Sequence, residues 1–443
     1  MSNDARLLQR EAGLTEPDPD GVADAEMAGF VTGANTLFRG LRQLEAGGLA
    51  LWRAGSGAPE VTRYRVYLPD APDARPESEM AGDMMARLDA AIERTMVQAG
   101  GRPIWVPLSA GLDSRLLLAK FVEHGYDNLR AFTYGPLGND EMRAARVIAD
   151  RLEVPWTFHP SRPADMRSFF SSGELQAYWD YCDGLSAVPN FQDLLTLHDL
   201  DRRGTLPEDA VVVNGQTGDF ISGGHIPAAL MTDEPGADGL FNAIVAKHFS
   251  LWTSLKTPER LEDVRARTFE RLGVTPDPRM DRETAIAHYE RFEYEERQAK
   301  YVINGQRNYG YLGRDWALPL WDSGFVEFWR NVPVARKYRQ QLFRDALARW
   351  DYRGLFRDFQ PRVDQWSGLT KAILVPSRLI RLTLGREARD RFLRRMLYFG
   401  MYHDQYAPFG YGRFLKAAGD LRNPVSLLSR EWLARQGLSA ERG

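Results

Sequence analysis

A chain of 443 residues has room for two or three domains or one large α/β body, and 44% hydrophobic with 26% charged residues is the balance of a folded soluble protein. The formal net charge of −3 provides no electrostatic footprint for nucleic acid, and no apolar stretch reaches the length of a membrane span, so neither is expected as a partner. The single cysteine, Cys182, excludes an internal disulfide and, with no signal-peptide core after Met1, predicts a cytoplasmic protein.

Residues 1–26 open with a polar stretch that includes Glu16-Pro17-Asp18-Pro19-Asp20-Gly21, and are predicted to be a mobile arm. Alternating runs at Leu49–Trp52 and Thr62–Tyr67 flank Ala54-Gly55-Ser56-Gly57 and predict a hairpin. A Pro/Asp/Ala linker at 69–77 precedes a helix at about 78–99, where Met80, Met84, Leu88, Ile92 and Met96 recur at helical spacing and read as core. From 103 to about 215 strands and helices alternate. The strands are Ile104–Leu108, Leu129–Tyr134, Val154–Phe158 and the wholly apolar Ala210–Asn214; the helices are Asp113–His124 and Glu141–Leu152. This predicts an α/β fold, a doubly wound parallel sheet with its ligand at the carboxyl ends of the strands. The stretch 240–440 reads as mostly helical. Near its end, Arg378, Arg381, Arg386, Arg389, Arg391, Arg394 and Arg395 crowd a segment holding Leu379, Leu382, Leu384 and Leu397. Two readings stand for it: a basic amphipathic helix facing an anionic partner, or a buried helix with its arginines in ion pairs.

Two loops carry the chemistry. Ser109-Ala110-Gly111-Leu112-Asp113-Ser114 lies between a strand and a helix N-terminus, so its amides and the helix dipole make an anion cradle. Small side chains let a pyrophosphate approach the backbone. Asp113 places a carboxylate beside that phosphate, an arrangement that calls for a divalent cation between them. The bland alternative is a plain strand–turn–helix corner. After the apolar strand, Gly215-Gln216-Thr217-Gly218-Asp219 forms a second small-residue loop, in which Asp219 is either a turn cap or the second carboxylate. Two such loops on neighbouring parallel strands bring Asp113 and Asp219 to one crevice, the usual inventory for Mg²⁺ with phosphates. The seven histidines show no paired ligand spacing for zinc, and only seven of the 57 basic residues are lysines.

Ser109–Ser114 resembles the SGGxDS pyrophosphate loop of the N-type ATP pyrophosphatases. Phe132-Thr133-Tyr134-Gly135, Gly138-Asn139-Asp140-Glu141, Asn214–Asp219 with Gly223-Gly224, and Gly313–Asp322 resemble, in order, the later motifs of asparagine synthetase. The resemblance implies that Ser109, Ala110, Gly111, Asp113 and Ser114 hold the pyrophosphate of ATP. It implies further that Leu108, Tyr134 and Gly215 frame the adenosine, that Asp113 and Asp219 bind Mg²⁺, and that Glu141 lies near the metal or nucleotide. It divides the chain into a remnant of an amidotransferase domain (27–77), an ATP pyrophosphatase domain (78–360) and a helical, Arg-rich extension (361–443).

Three departures from the family pattern matter. Ser2 stands where the glutaminase nucleophile follows the initiator Met, so no glutamine hydrolysis is expected in this chain. Gln216 replaces the family glutamate after the glycine, and an amide cannot act as a general base, so Asp315 becomes the candidate base. Gln340 falls at the family's phosphate-binding lysine, leaving Lys337 either as the substitute cation or as a solvated surface lysine. The expected function is an AMP-forming amide ligase that adenylates a small-molecule or sugar carboxylate and transfers ammonia, or another amine, or ammonia from a separate glutaminase. The alternative is a nucleotide-binding pseudoenzyme or scaffold subunit. Residues 170–200, notably Tyr178, Tyr181, Asp183, Asn190 and Gln192, are expected to line the acceptor pocket.

Overall fold

The structure, a computed structural model, describes residues 1–361, 368–403 and 408–438. The segment expected to be a mobile arm is two helices, Ala5–Glu11 (α1) and Pro19–Ala28 (α2). The polar text that reads as disorder is a helix start. Asp18 caps α2 by accepting from the Asp20 and Gly21 amides, Pro19 stands at the first helical position, and Gly29 at φ 81° closes it. Ala25 and Met27 are fully buried. The hairpin forms as expected: Gly48–Leu51 (β1) pairs antiparallel with Glu60–Arg63 (β2), Gly48 opposite Arg63.

The helix Glu77–Ala99 (α3) buries Met80, Met84, Leu88 and Ile92. It leads into Ile104–Pro107 (β3), Leu112–Glu123 (α4), Leu129–Gly135 (β4), Asp140–Leu152 (α5) and Trp156–Pro160 (β5). Val211–Val213 (β6) and Asp315–Ala317 (β7) complete a parallel sheet of order β5-β4-β3-β6-β7. The chain winds outward from β3 through β4 to β5, then returns to lay β6 on the other side of β3. That reversal opens a crevice beyond the carboxyl ends of β3 and β6, where a doubly wound sheet places its ligand. β7 is a three-residue strand inside the half expected to be mostly helical. Most of the rest of that half is helical, including a ten-residue π-helical stretch, Glu293–Val302.

One core packs α3 and α4 against the sheet, through Leu88, Ile92, Leu116, Leu117, Val106 and Val213. A second joins the two ends of the chain: Ala25, Leu37 and Phe38 share it with Leu427, Trp432 and Leu433 of the helix Pro424–Arg435. The Arg-rich segment lies in the helix Gly368–His403, interrupted at Gly385. Its Leu379, Leu382 and Leu384 are 63%, 84% and 72% exposed, so it is not the buried helix of the second reading. The side chains of Arg394 and Leu397 lie outside the described residues.

Candidate active site

The first loop folds around a hydroxyl. Ser114 Oγ accepts from the Ser109 amide at 3.0 Å and lies 3.1 Å from Ser109 Oγ, which accepts from the Gly111 amide at 3.1 Å. The Ala110 amide donates to Glu141 Oε2 at 2.6 Å, so a carboxylate from the start of α5 lies against an amide of the cradle. Behind the loop, the buried Arg115 donates to the carbonyls of Ala110 (2.9 Å) and Leu355 (2.6 Å), tying it to the segment after the domain's last helices.

The second loop is anchored by Asn214, whose Nδ2 donates to Tyr309 Oη at 2.8 Å and whose Oδ1 accepts from the Gln216 amide at 2.9 Å. Thr217 holds φ 78°, a left-handed conformation that costs a β-branched residue strain and aims the next amides at the first loop. The Asp219 amide donates to Asp113 Oδ2 at 3.0 Å. Gly218 is required here, since an added Cβ would stand 2.5 Å from Asp113 Cγ. The loop turns away at Gly223, φ 90°, where a Cβ would meet the Lys337 carbonyl oxygen at 2.3 Å.

The electrostatics follow from this contact. Asp113 is half-buried, with its Oδ1 shut off from solvent, and it faces the Asp219 charge, so loss of hydration first and that charge second push its carboxyl up to about 8. Its Oδ1 is buried without a hydrogen-bond partner. An orphaned carboxylate oxygen beside a second carboxylate is the donor set a divalent cation satisfies, so the residues present fit Mg²⁺. On the far side of Asp219 sits His225, Nε2 at 2.9 Å from Asp219 Oδ2 and Nδ1 at 2.6 Å from Glu293 Oε1. Burial pulls its pKa down, yet the hydrogen bonds to both carboxylates win and raise it to about 9, so the imidazole is a cation at neutral pH. The His225 and Lys247 contacts in turn overcome burial and hold Glu293 well below the usual carboxylate range.

Ser109, Gly111, Asp113, Ser114, Tyr134, Gly215, Gln216 and Asp219 line one cleft of about 390 Å³ at the crevice. Of the remaining predicted positions, Ala110 sits in the loop, while Leu108 is buried behind it and does not line the cleft. Two expectations are corrected. Asp315 is the first residue of β7, level with Val211 at the amino end of β6, and its carboxylate pairs with Arg102 at 2.7 Å. It stands at the wrong end of the sheet to serve as base. Lys337 is neither a phosphate ligand nor a surface lysine: it is 2% exposed, with Nζ 2.8 Å from Glu290 Oε2. Gln340 is also buried and donates to Ser222 Oγ at 2.8 Å. A cation near Gln340 is the exposed Arg344, which donates to Gln340 Oε1 at 3.2 Å and, after His225, lowers the Asp113 pKa from a distance.

A family model described as asparagine synthase matches residues 83–363. The chain belongs to the asparagine synthase family. A search of curated proteins finds no match. Asparagine synthase domains are ATP-dependent, carbon–nitrogen bond-forming ligases that typically use Mg²⁺. The match takes in both loops and all five parallel strands, and leaves outside it α2 and the helix Pro424–Arg435.

Several cleft residues escaped the sequence reading. Asp193, His225, Arg297, Gln298 and Val302 all line it. Arg297 and Gln298 come from the π-helical stretch, whose i→i+5 geometry defeats a search at 3.6 residues per turn, and whose text, Glu-Tyr-Glu-Glu-Arg-Gln, looks like a solvated face. His225, six residues after Asp219 in the quoted loop, carried the one available signal.

Proposed function

We propose that this chain is an AMP-forming amide ligase: it adenylates a carboxylate and passes the acyl group to ammonia or another amine. The observation that carries this reading is the contact between the two loops, which puts the buried, unpartnered Asp113 Oδ1 beside Asp219 at the mouth of a phosphate cradle. In the first step a substrate carboxylate oxygen bonds to the α-phosphorus of ATP as the bond to the bridging oxygen of the β-phosphate breaks, and pyrophosphate leaves. In the second, the amine attacks the acyl carbon, AMP departs with the bonding electrons, and the amine loses a proton. The chain's own part in the first step is positioning and charge: the first-turn amides of α4, after the loop whose Ser109, Ala110 and Gly111 amides are held within the site, receive the departing phosphates, and Arg344 supplies the cation that the family's lysine would. Mg²⁺ held by Asp113 and Asp219 would neutralise the charge that builds on the pyrophosphate. His225, doubly protonated, fixes Asp219 in place and is no base.

With Asp315 out of reach, the carboxylate that supports proton removal is Asp193. It lines the cleft and is hydrogen-bonded by the hydroxyls of Tyr134 and Tyr309, and burial raises its pKa toward that of a useful base. Gln216 accepts from Gln306 Nε2 at 2.5 Å and orients rather than deprotonates.

The test is carboxylate-dependent ATP–pyrophosphate exchange together with amide formation. Asp113→Ala and Asp219→Ala should each lower exchange by about 10²-fold or more. Asp193→Asn should retain exchange and lose amide formation. Near wild-type exchange in either alanine variant overturns the two-carboxylate site, and loss of exchange in Asp193→Asn moves that residue into adenylation.

A further inference from the structure

A second cavity, of about 370 Å³, opens off the nucleotide cleft and shares with it the walls Tyr134, Gln192, Gln216, Arg297 and Val302. Beyond that neck its character changes. Met166, Phe191 and Leu195 form one side, and Val425 and Leu428 of the helix Pro424–Arg435 form the other. Arg297 is the one charged side chain among the described residues that line it. Part of the polar lining is also spoken for: Asn190, one of the expected residues, accepts at Oδ1 from the Gln192 amide at 3.1 Å, and Asn423 Oδ1 accepts from the Val425 amide at 3.0 Å. Of the other residues expected to line an acceptor pocket, Tyr178 and Asp183 are buried beneath it. The Tyr178 hydroxyl donates to the Asn190 carbonyl at 2.5 Å, and Asp183 accepts from Trp432 Nε1 at 3.1 Å. Tyr181 is half-exposed.

We infer that this second cavity holds the acyl half of the substrate, and that it selects a carboxylate carried on an apolar body. The inference rests on the ligase reading above and goes further, to the class of acid. Three observations carry it. First, the only cation among the described lining residues stands at the neck. Arg297, a third exposed and 3.8 Å from Glu293 Oε1, is free to meet a carboxylate there and turn it toward the α-phosphate end of the cleft. Second, an aspartate in this cavity would bring an ammonium and a second carboxylate into contact with Leu195, Val425 and Leu428, where the described lining residues include no acidic side chain and no second cation to pair with them. A sugar acid would bring several hydroxyls to walls that are mainly apolar, with Ser161 and Thr196 the small polar exceptions, and each hydroxyl needs a partner. An apolar body needs none, and gains from leaving water. Third, the Val425 and Leu428 wall comes from outside the stretch matched by the family model, so the cavity is closed by residues beyond the asparagine synthase domain itself.

The experiment measures ATP–pyrophosphate exchange with Mg²⁺ for four acids, 4-phenylbutyrate, octanoate, aspartate and glucuronate, and binding of 4-phenylbutyrate by calorimetry. The two apolar acids should drive exchange at least tenfold faster than the two polar ones, and binding should show a negative heat-capacity change. Leu428→Gln and, separately, Val425→Ser should raise KM for 4-phenylbutyrate about tenfold with KM for ATP unchanged, a split that a general loss of folding would not give. Arg297→Gln should raise KM for every carboxylate alike. Exchange driven by aspartate or glucuronate in preference to the apolar acids keeps the ligase and overturns the cavity assignment. Calorimetric binding that Leu428→Gln weakens, with no exchange from any acid, keeps the assignment and overturns the ligase. Absence of both overturns both.

Discussion

Replacing Gly218 by alanine tests the contact between the two loops with a residue that has no chemistry of its own. The added methyl carbon would lie 2.5 Å from Asp113 Cγ, 2.6 Å from Leu320 Cδ1 and 2.7 Å from Asp113 Oδ1. Ordinary carbon contacts are about 3.5–4 Å, so the overlap is about 1 Å on two sides at once. Neither neighbour can retreat: Leu320 is fully buried and Asp113 is held by the Asp219 amide. Relief comes only by lifting the second loop off the first. Overpacking of this kind costs about 1–3 kcal/mol of stability. A displacement near 1 Å between groups that must act on one phosphate chain costs about 10²-fold in rate. The measurements are ATP–pyrophosphate exchange and thermal melting of Gly218→Ala beside Gly173→Ala, whose added carbon meets nothing within 4 Å. The control should stay within about 0.5 kcal/mol of wild type. A folded Gly218→Ala protein exchanging at the wild-type rate would refute the reasoning.

Asp315→Asn removes a half-exposed pair with Arg102 and should leave exchange and amide formation unchanged, at a stability cost of about 1 kcal/mol or less; a loss of activity would return Asp315 to the site. Arg344→Met should lower exchange by about tenfold, with Arg344→Lys in between, measured at saturating Mg²⁺; an unchanged rate would mean that another cation meets the pyrophosphate. Burial raises the Asp183 pKa from its ordinary 3.8 to about 6, so the folded state binds this proton more tightly than the unfolded one. The stability this contributes is full below 3.8 and lost as pH rises through 6, about 3 kcal/mol across the window. Urea unfolding of Asp183→Asn should therefore show a stability gain over wild type that grows through that window, and a pH-independent difference would contradict it.

The sheet core and the phosphate loop were legible because both are written locally: an apolar strand, a small-residue turn and a helix start follow one another in the text. The meeting of Asp113 with Asp219 followed from topology, since the two loops leave neighbouring parallel strands at the same end. Asp315 misled because motif order does not say which end of a strand a residue occupies. At about 3.3 Å per residue, the first position of β7 lies roughly 10 Å from the crevice that Leu320 reaches. α2 was lost because capping residues and disorder-promoting residues are the same letters. Lys337 and Glu290 were lost because nothing local marks two charges that bury each other.

The pairing of the chain's two ends has a consequence for how the molecule is made. Ser429 Oγ donates to the Ala25 carbonyl across 404 residues of sequence. At about 5–20 residues per second on the ribosome, α2 waits roughly 20–80 s for the helix that covers it. Before that interval ends the strands and both phosphate loops have become available to fold, while Val425 and Leu428 have yet to emerge. The nascent protein thus becomes competent for nucleotide before it has a wall to choose an acid with, and α2 is an apolar surface for a chaperone to cover in the meantime.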